Sequence, residues 1–145
     1  MEPVGPDVIA YLCTNCIPTG GRLPRRWEQQ GAHVAVREVP CSGKMDGQYL
    51  LHALEGGVRG LCVVACPKGA CQLAQGNYRA QVRVGTVRRL LAEIGLDPAR
   101  IELVHGSPED PFDRFDALVR EAVGRICALD PSPIRVATHE GTANR

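Results

Sequence analysis

The sequence predicts an α/β fold in which helices cover a parallel β-sheet. The main observation is that four short apolar runs with strand composition alternate with four segments of helical character. A second observation is that the first three of these runs are each closely followed by a cysteine. Length fits the prediction, because 145 residues are enough for one domain with one core.

Each predicted strand is a short apolar run bounded by turn residues. The first run ends at Cys13, the second ends before Pro40, and the fourth is entered through a turn at Asp97 and Pro98. The third run, Leu-Cys-Val-Val-Ala, is apolar throughout, as expected for a strand that is buried on both faces. The four predicted strands are residues 6–12, 33–39, 61–65 and 100–105.

The predicted helices follow the strands in turn and are residues 20–30, 46–54, 77–94 and a last helix from Asp110-Pro111 to the residues before Pro131. Asp46 is a candidate N-cap of the second helix, and Gly56 and Gly57 end it. Asp113 lies in the first turn of the last helix, where a carboxylate is favourable.

Two of these helices have clear apolar stripes. In the third helix, which Gly95 closes, the stripe is Val84, Val87, Leu90, Leu91 and Ile94. In the last helix it is Phe115, Leu118, Val119, Ala122, Val123 and Ile126. The basic residues of the third helix lie off its stripe, where we interpret them as a solvated face or as a surface for an acidic partner; they are Arg79, Arg83, Arg88 and Arg89.

The complete order, β-α-β-α-β-α-β-α, predicts a single flavodoxin-like or Rossmann-like three-layer sandwich with a four-stranded parallel sheet. We assign residues 1–131 to this domain and residues 132–145 to a polar C-terminal tail without periodicity. In such sheets ligands bind beyond the carboxyl ends of the strands. The cysteines that follow the strands are therefore expected at the ligand-binding edge.

Five of the seven cysteines lie at or just after predicted strand ends, with the spacings C-x2-C, a lone cysteine and C-x4-C. They are Cys13, Cys16, Cys41, Cys66 and Cys71. Short loops of this kind can direct two sulfurs at one metal ion, and thiolates at such spacings suit iron–sulfur clusters or zinc. Four of the five would complete a tetrathiolate site, and the fifth would be a neighbouring thiol.

Three further residues are interpreted as structural. Cys62 lies four residues before Cys66 in the same strand, roughly 13 Å below the edge, so we predict that it is a buried apolar residue. Cys127 lies beside the apolar stripe of the last helix and is interpreted in the same way. His105 closes the fourth strand at the same edge as the cysteines and is taken as a strand-end residue without a special role.

Composition narrows the class of protein. The net charge is +1, which favours neither nucleic acid nor a membrane surface. The sequence contains no run of roughly 20 apolar residues that would span a membrane, and we expect no secretory leader before the domain. We therefore expect a cytoplasmic protein, in which clustered cysteines bind metal or do redox chemistry more often than they form disulfides.

Spacing alone leaves alternatives to an iron–sulfur cluster open. A zinc ion could be held by the same thiols in a structural or docking module. The stretch from Cys16 to Arg22 also matches C-x5-R, the phosphate-binding loop of cysteine phosphatases, which would make the protein a thiol enzyme that uses Cys16 with Arg22.

The chain resembles the delta, or iron–sulfur, subunit family of methyl-viologen-reducing hydrogenases from residue 8 to about residue 133. The resemblance depends on several motifs taken together: Cys13-Thr-Asn-Cys16, Val39-Pro-Cys41-Ser-Gly-Lys44, Cys66-Pro-Lys-Gly-Ala-Cys71, Gly76-Asn-Tyr-Arg-Ala80 with Arg83-Val84, and the helix end before Pro98. Two positions depart from the family pattern: Gln72 stands where a histidine is usual, and Lys44 where arginine is frequent.

The resemblance implies a flavodoxin-like domain that carries one [2Fe–2S] cluster on four of the five cysteines. It implies an electron-transfer subunit of an anaerobic oxidoreductase complex, not a stand-alone catalyst. The implied partners are a flavoprotein of the heterodisulfide reductase A type and a further redox subunit, such as a hydrogenase.

Overall fold

The computed structural model describes residues 6–14, 17–18, 21–39, 47–65, 76–106, 111–130 and 132, and only the backbone of residues 76–80. Its strands are β1 (Val8–Cys13), β2 (Arg26–Gln29), β3 (Ala32–Val39), β4 (Gly60–Ala65) and β5 (Ile101–His105). Its helices are α1 (Gly47–Glu55), α2 (Gly76–Glu93) and α3 (Phe112–Cys127), with a 3-10 turn at Pro98–Arg100. The chain is an α/β protein, as the sequence predicts.

The described strands form a five-stranded sheet in the order β2-β3-β1-β4-β5. The strands β3, β1, β4 and β5 are parallel to one another, and β2 pairs with β3 in the antiparallel direction. The predicted count of four strands was therefore wrong by one. A strict flavodoxin-like description is not exact either, because the connection from β1 to β3 contains an edge strand where the sequence predicts a helix.

The predicted helix at residues 20–30 is the extra strand. Gln30 and Gly31 both have positive φ, 52° and 79°, and join Gln29 to Ala32 in a two-residue turn. Positive φ at both central residues is typical of the type I′ turn, whose twist matches a β-hairpin. Side chains of β2 alternate between exposed and half-buried, and Trp27 packs against the core. Pairing with β3 outweighs the weak helical pattern here.

The sheet separates two hydrophobic clusters. Along β1, Val8, Ala10 and Leu12 point into a cluster with α3, whereas Ile9 and Tyr11 point into a cluster with α1 and α2. This alternation follows from the two-residue repeat of a strand. The described helices thus form two outer layers, α3 on one face and α1 with α2 on the other. The three-layer prediction holds, with these helices in place of the predicted four.

The ends of α1 and α2 agree with the sequence. Gly57 and Gly95 have φ of 93° and 84°, the left-handed conformation that commonly ends a helix. The side chain of Asp97 accepts a hydrogen bond from the Ala99 N–H at 2.9 Å, which caps the 3-10 turn before β5. The predicted cap Asp46 and the predicted helix start Asp110 lie outside the described residues, and Asp113 lies in the first turn of α3.

The apolar stripe predicted for α3 is buried, with Leu118 only partly covered. The stripe predicted for α2 was too wide. Val84, Val87 and Leu91 are buried, but Leu90 is 38% exposed and Ile94 is 67% exposed. The sheet covers only the side of α2 on which the three buried residues lie, and Ile94 lies beyond the last residue of the helix.

The amino edge of the sheet is tightly packed around β4 and the 3-10 turn. A Cβ atom on Gly60 would overlap the Arg100 carbonyl oxygen, so this position requires glycine. Arg100 is buried, and its Nη1 donates to the carbonyl oxygens of Arg59 and Asp130, both at 3.0 Å. The bond to Asp130, and one of 2.9 Å from Arg59 Nη1 to the Cys127 carbonyl, satisfy backbone groups at and after the end of α3.

Candidate metal centre

The carboxyl edge of the sheet ends in a row of four neighbouring residues. Cys13 is opposite Val39, and Ala65 is opposite His105. The preceding pair, Leu12 and Val64, aligns β1 with β4. The four strand ends therefore lie side by side in the order Val39, Cys13, Ala65, His105. We call these residues the edge row.

The edge row faces the layer formed by α1 and α2. Ile9 and Tyr11 of β1 belong to that side, so alternation places Cys13 on it as well. Ile101 and Leu103 of β5 also face α1 and α2, which places His105 on the same side. Since neighbouring strands are about 4.8 Å apart, the Cα atoms of Cys13 and His105 are separated by roughly 10 Å.

Cys13 is the last residue of β1 and is only 1% exposed. The other four candidate cysteines, Cys16, Cys41, Cys66 and Cys71, lie outside the described residues. Along the chain, however, Cys41 follows Val39 by two positions and Cys66 follows Ala65 directly. The strands that lead into these two cysteines are the immediate neighbours of β1.

Next to Cys13 on the same face lies a pair of tyrosines. The Tyr11 ring is buried and meets Tyr49 of α1 edge to face, with ring centroids 5.5 Å apart. Burial, reinforced by Tyr49, raises the pKa of Tyr11 to about 12, and the nearby Arg37 lowers it by less. The phenol therefore stays neutral at ordinary pH. Sequence reasoning missed this pair, because nothing in a linear pattern joins Tyr11 to Tyr49.

His105 contacts α2 through a side-chain hydrogen bond. The Nε2 atoms of His105 and Gln81 are 3.2 Å apart. This bond holds the imidazole against the first half of α2, beside the strand end that leads into Cys66. The contact with Gln81 could not be found from the sequence, since the two residues are joined only by the packing of α2 on β5.

The two cysteines interpreted as structural are buried, as predicted. Cys62 is fully buried and lies opposite Ala10 and Glu102, on the α3 side of the sheet. Burial, with a smaller effect of Glu102, raises the pKa of the Cys62 thiol to about 12. Cys127 is 7% exposed, and burial also raises the pKa of its thiol. Both thiols therefore stay protonated at neutral pH.

Arg22, the cation of the alternative thiol enzyme, lines an open cleft of about 460 Å³ over β1 and β3. Leu12 and Val36 form part of its floor, and both belong to the α3 side of the sheet. Arg25 and Glu38 are also in its wall. Cys16, the nucleophile of that alternative, lies outside the described residues.

The described part of the site contains one of the five candidate ligands, Cys13. A thiol at a strand end, shielded from water and next to a neutral aromatic pair, is stabilised as a thiolate when it binds a metal ion. Iron–sulfur clusters and zinc both take such ligands. Among the residues that the structure describes, no three His, Cys, Asp or Glu side chains form a metal-binding group. None of the described helices is long and apolar enough to cross a membrane.

Fold and edge row together define an α/β domain whose sheet presents a thiol at the ligand-binding edge. The sequence model of one family, described as the methyl-viologen-reducing hydrogenase, delta subunit, matches residues 8–130. The chain belongs to this family, which confirms the resemblance drawn from the sequence motifs.

Individual relatives agree with the family. The chain is 35% identical over 136 residues to the vhu iron-sulfur subunit of the F420-non-reducing hydrogenase of Methanocaldococcus jannaschii, covering 93% of this chain and 98% of the relative. A protein of the same name from Methanococcus maripaludis is 33% identical over 131 residues, with 90% and 97% covered.

A third relative is much longer than this chain. The A-type subunit of the Ferredoxin:CoB-CoM heterodisulfide reductase of Methanosarcina mazei is 28% identical over 127 residues, which are 87% of this chain but 16% of that protein. The homologous segment is therefore a small part of a larger polypeptide in that organism.

Proposed function

We propose that this chain is an electron-transfer subunit of a hydrogenase and heterodisulfide reductase system, and that it carries one [2Fe–2S] cluster. Four of Cys13, Cys16, Cys41, Cys66 and Cys71 would hold the cluster. The observation that carries the proposal is the position of Cys13, a buried thiol at the end of β1, between the strands that lead into Cys41 and Cys66. Family membership and the relatives named as iron-sulfur subunits support it.

The role of the protein is to hold the site and to control its surroundings. A bound cluster supplies one-electron chemistry. The buried end of β1 keeps the Cys13 sulfur away from water, and neutral Tyr11 places no charge beside it. His105, held by Gln81, provides a polar group at the same edge. Polarity and hydrogen bonding around the ligands tune the potential of such centres.

The proposed partners are a flavoprotein of the heterodisulfide reductase A type and a further redox subunit such as a hydrogenase. The Methanosarcina mazei relative supports the first, because a segment homologous to this chain is part of that heterodisulfide reductase polypeptide. The relatives named as hydrogenase subunits support the second. We also propose that the protein acts in the cytoplasm.

The proposal is tested by purifying the full chain without oxygen and counting iron, sulfide and zinc. We expect two irons and two sulfides per chain, visible absorption bands, and a paramagnetic resonance signal after reduction. Alanine is then placed at each of the five candidate cysteines in turn, with Cys62→Ala and Cys127→Ala as matched controls. Four of the five variants should lose the iron, and both controls should keep it.

Two other results would contradict the proposal. A protein that contains zinc and no iron would be a structural or docking module. A metal-free protein that hydrolyses a phosphate ester, and loses this activity in both Cys16→Ala and Arg22→Ala, would be a thiol enzyme. The position of Arg22 in the wall of an open cleft is the observation that keeps this second function worth testing.

A further inference from the structure

In the described part of the chain, the large exposed apolar side chains lie in one layer, that of α1 and α2. Among the described residues, the large hydrophobic side chains that are exposed are Tyr49 (47%), Val82 (52%), Leu90 (38%) and Ile94 (67%). Tyr49 lies on α1, Val82 and Leu90 lie on α2, and Ile94 directly follows α2. Both helices cover the side of the sheet that the edge row faces. Exposed apolar side chains that gather in one layer indicate a candidate interaction surface.

The α2 part of this surface forms a stripe. Val82 and Leu90 are eight residues apart on α2, with the half-buried polar Thr86 midway between them, and Ile94 directly follows the helix. Residues four apart lie close together on a helix surface. From Val82 to Leu90 the stripe is about 12 Å long, at 1.5 Å per residue. It does not face the sheet, because the buried side of α2 is formed by Val84, Val87 and Leu91.

The charge around this stripe is positive. Residues 81–94 contain Arg83, Arg88, Arg89 and Glu93, three positive charges against one negative, which is an excess of two. Arg88 has a structural role, since its Nε and Nη2 donate to the Ile101 carbonyl at 3.2 and 3.0 Å. Arg89, in contrast, is exposed. A complementary surface would combine an apolar groove with carboxylates at its rim.

The same layer is connected to the candidate metal centre. Tyr49 packs on Tyr11, and Tyr11 precedes Cys13 by two residues on the same face of β1. Two residues of strand correspond to about 7 Å, so Cys13 and the exposed Tyr49 ring are separated by little more than one buried side chain. A protein seated on Tyr49 would thus lie close to the edge row, as electron transfer between two centres requires.

We propose that the outer face of α1 and α2, around Tyr49, Val82, Leu90 and Ile94, is the docking surface for the heterodisulfide reductase A-type flavoprotein. This inference rests on the proposed function for the identity of the partner. In the Methanosarcina mazei relative the homologous segment belongs to the heterodisulfide reductase polypeptide itself, so the two parts never separate. Permanent interfaces of this kind are more apolar than transient ones, which agrees with the exposed side chains.

The test uses the full chain, purified without oxygen, and the purified heterodisulfide reductase A-type flavoprotein of the same organism. The dissociation constant is measured for the wild type, for Val82→Glu with Ile94→Glu, and for Arg89→Glu. We expect the double variant to bind about tenfold or more weakly. Arg89→Glu should bind several-fold more weakly, with the larger loss at low salt because the effect is electrostatic.

The control is Ala117→Glu, which introduces one glutamate at an exposed position of α3, against two in the double variant. It should bind like the wild type. Iron content and thermal unfolding are measured for every variant, and the altered side chains are exposed, so the fold should be kept. Hydrogen exchange of the wild type provides a second measurement: the flavoprotein should protect residues 81–94 and leave residues 112–127 unchanged.

Three outcomes would overturn the inference. If the wild type binds and the double variant binds equally well, or if Ala117→Glu weakens binding as much, the surface is placed wrongly. If sedimentation shows that the wild type self-associates through Val82 and Ile94 while flavoprotein binding is unchanged, the face joins two copies of this chain. If the wild type does not bind the flavoprotein at all, the proposed partner itself is contradicted, together with this inference.

Discussion

The two helical layers differ in how far the rest of the chain pairs their charged side chains and covers their apolar ones. On α3, charged residues find partners within the chain: Arg120 Nε contacts both carboxylate oxygens of Asp116 at 2.9 and 3.1 Å, and its guanidinium lies 4.7 Å from the Trp27 ring centre. Arg125 reaches Glu102 at 2.9 Å. On α1 and α2 and directly after α2, in contrast, four large apolar side chains of the described residues are exposed.

The hairpin strand β2 helps to complete the α3 layer. The Gln29 side chain donates to the Arg120 carbonyl at 2.7 Å and accepts from Trp27 Nε1 at 3.0 Å. The edge of the sheet is thereby tied to α3 by the hydrogen bond from Gln29 to Arg120 and by the contact of the Arg120 guanidinium with the Trp27 ring. The layer of α1 and α2 receives no such cover from the described residues. The comparison shows that the chain itself covers the α3 layer, whereas the layer of α1 and α2 leaves apolar side chains exposed that a partner could cover.

The largest expected difference between the layers concerns stability. Phe115 of α3 is 1% exposed, and a Cβ on Gly106 would lie 2.8 Å from its ring. Phe115→Ala should cost about 3–5 kcal/mol of unfolding free energy, because the close-packed site cannot collapse around the cavity. Ile94→Ala, on the other layer, should change it by less than about 0.5 kcal/mol.

Both variants are compared in urea unfolding at equal iron content, so that the metal centre does not dominate the result. A loss of unfolding free energy below about 1 kcal/mol for Phe115→Ala, or above it for Ile94→Ala, would contradict the distinction between a covered α3 layer and an exposed layer of α1 and α2.

A smaller effect is expected from pH. Burial raises the pKa of Cys62, on the α3 side, from 9.0 to about 12. In the unfolded chain this thiol loses its proton from about pH 9 upward, whereas the folded protein retains it. The contribution of Cys62 to stability is therefore complete below pH 9 and decreases as pH rises from 9 to 12. At about pH 10.5 the loss should be about 2 kcal/mol.

The pKa of Tyr11, on the α1 and α2 side, is also raised, from 10.0 to about 12. Its contribution to stability therefore also decreases with pH, but only above pH 10. Unfolding of the wild type and of Cys62→Ala at pH 7 and pH 10.5 separates the two residues, since the variant retains Tyr11. The variant should lose less stability with pH than the wild type. Equal losses in both proteins would contradict the assigned role of Cys62.

The smallest expected effect compares one glycine in each layer. Gly85 lies in α2 and Gly124 in α3. A Cβ on Gly85 meets nothing within 4 Å, whereas one on Gly124 lies 3.3 Å from the Gln29 amide nitrogen. Gly85→Ala should stabilise the protein by about 0.5–1 kcal/mol through helix propensity. Gly124→Ala should gain less, because Gln29 must move away from Arg120. Thermal unfolding of the two variants side by side would detect the difference, and a larger gain for Gly124→Ala would be the contrary result.

The sequence could predict most of the fold, because the strongest signals are local. The buried stripe of α3 repeats with the helical period, and Gly57 and Gly95 end α1 and α2 where glycine can adopt positive φ. The strand β2 could not be predicted with the same rules. Its four residues contain only one large apolar side chain, Trp27, and its stability comes from pairing with β3 and packing on α3.

For the candidate site, the sequence predicted the positions of single cysteines but not the side chains around them. That Cys13 ends a strand follows from the apolar run before it, and that Cys62 is buried follows from its position within β4. The assignment of the cluster to four of five cysteines stays a prediction. The neighbours of Cys13, which are Tyr11 with Tyr49 and His105 with Gln81, depend on how α1 and α2 pack.

The sequence by itself determined the alternation of strands and helices, the strand-end position of Cys13 and the family to which the chain belongs. These properties are local, since hydrophobic period, turn residues and motif spacing are all set by neighbours in the chain. Only the tertiary structure decided that residues 26–29 form a strand and that Leu90 and Ile94 remain exposed. It also decided which helices face Cys13. The physical reason is that strand pairing and burial depend on surfaces that residues far apart in sequence supply to one another.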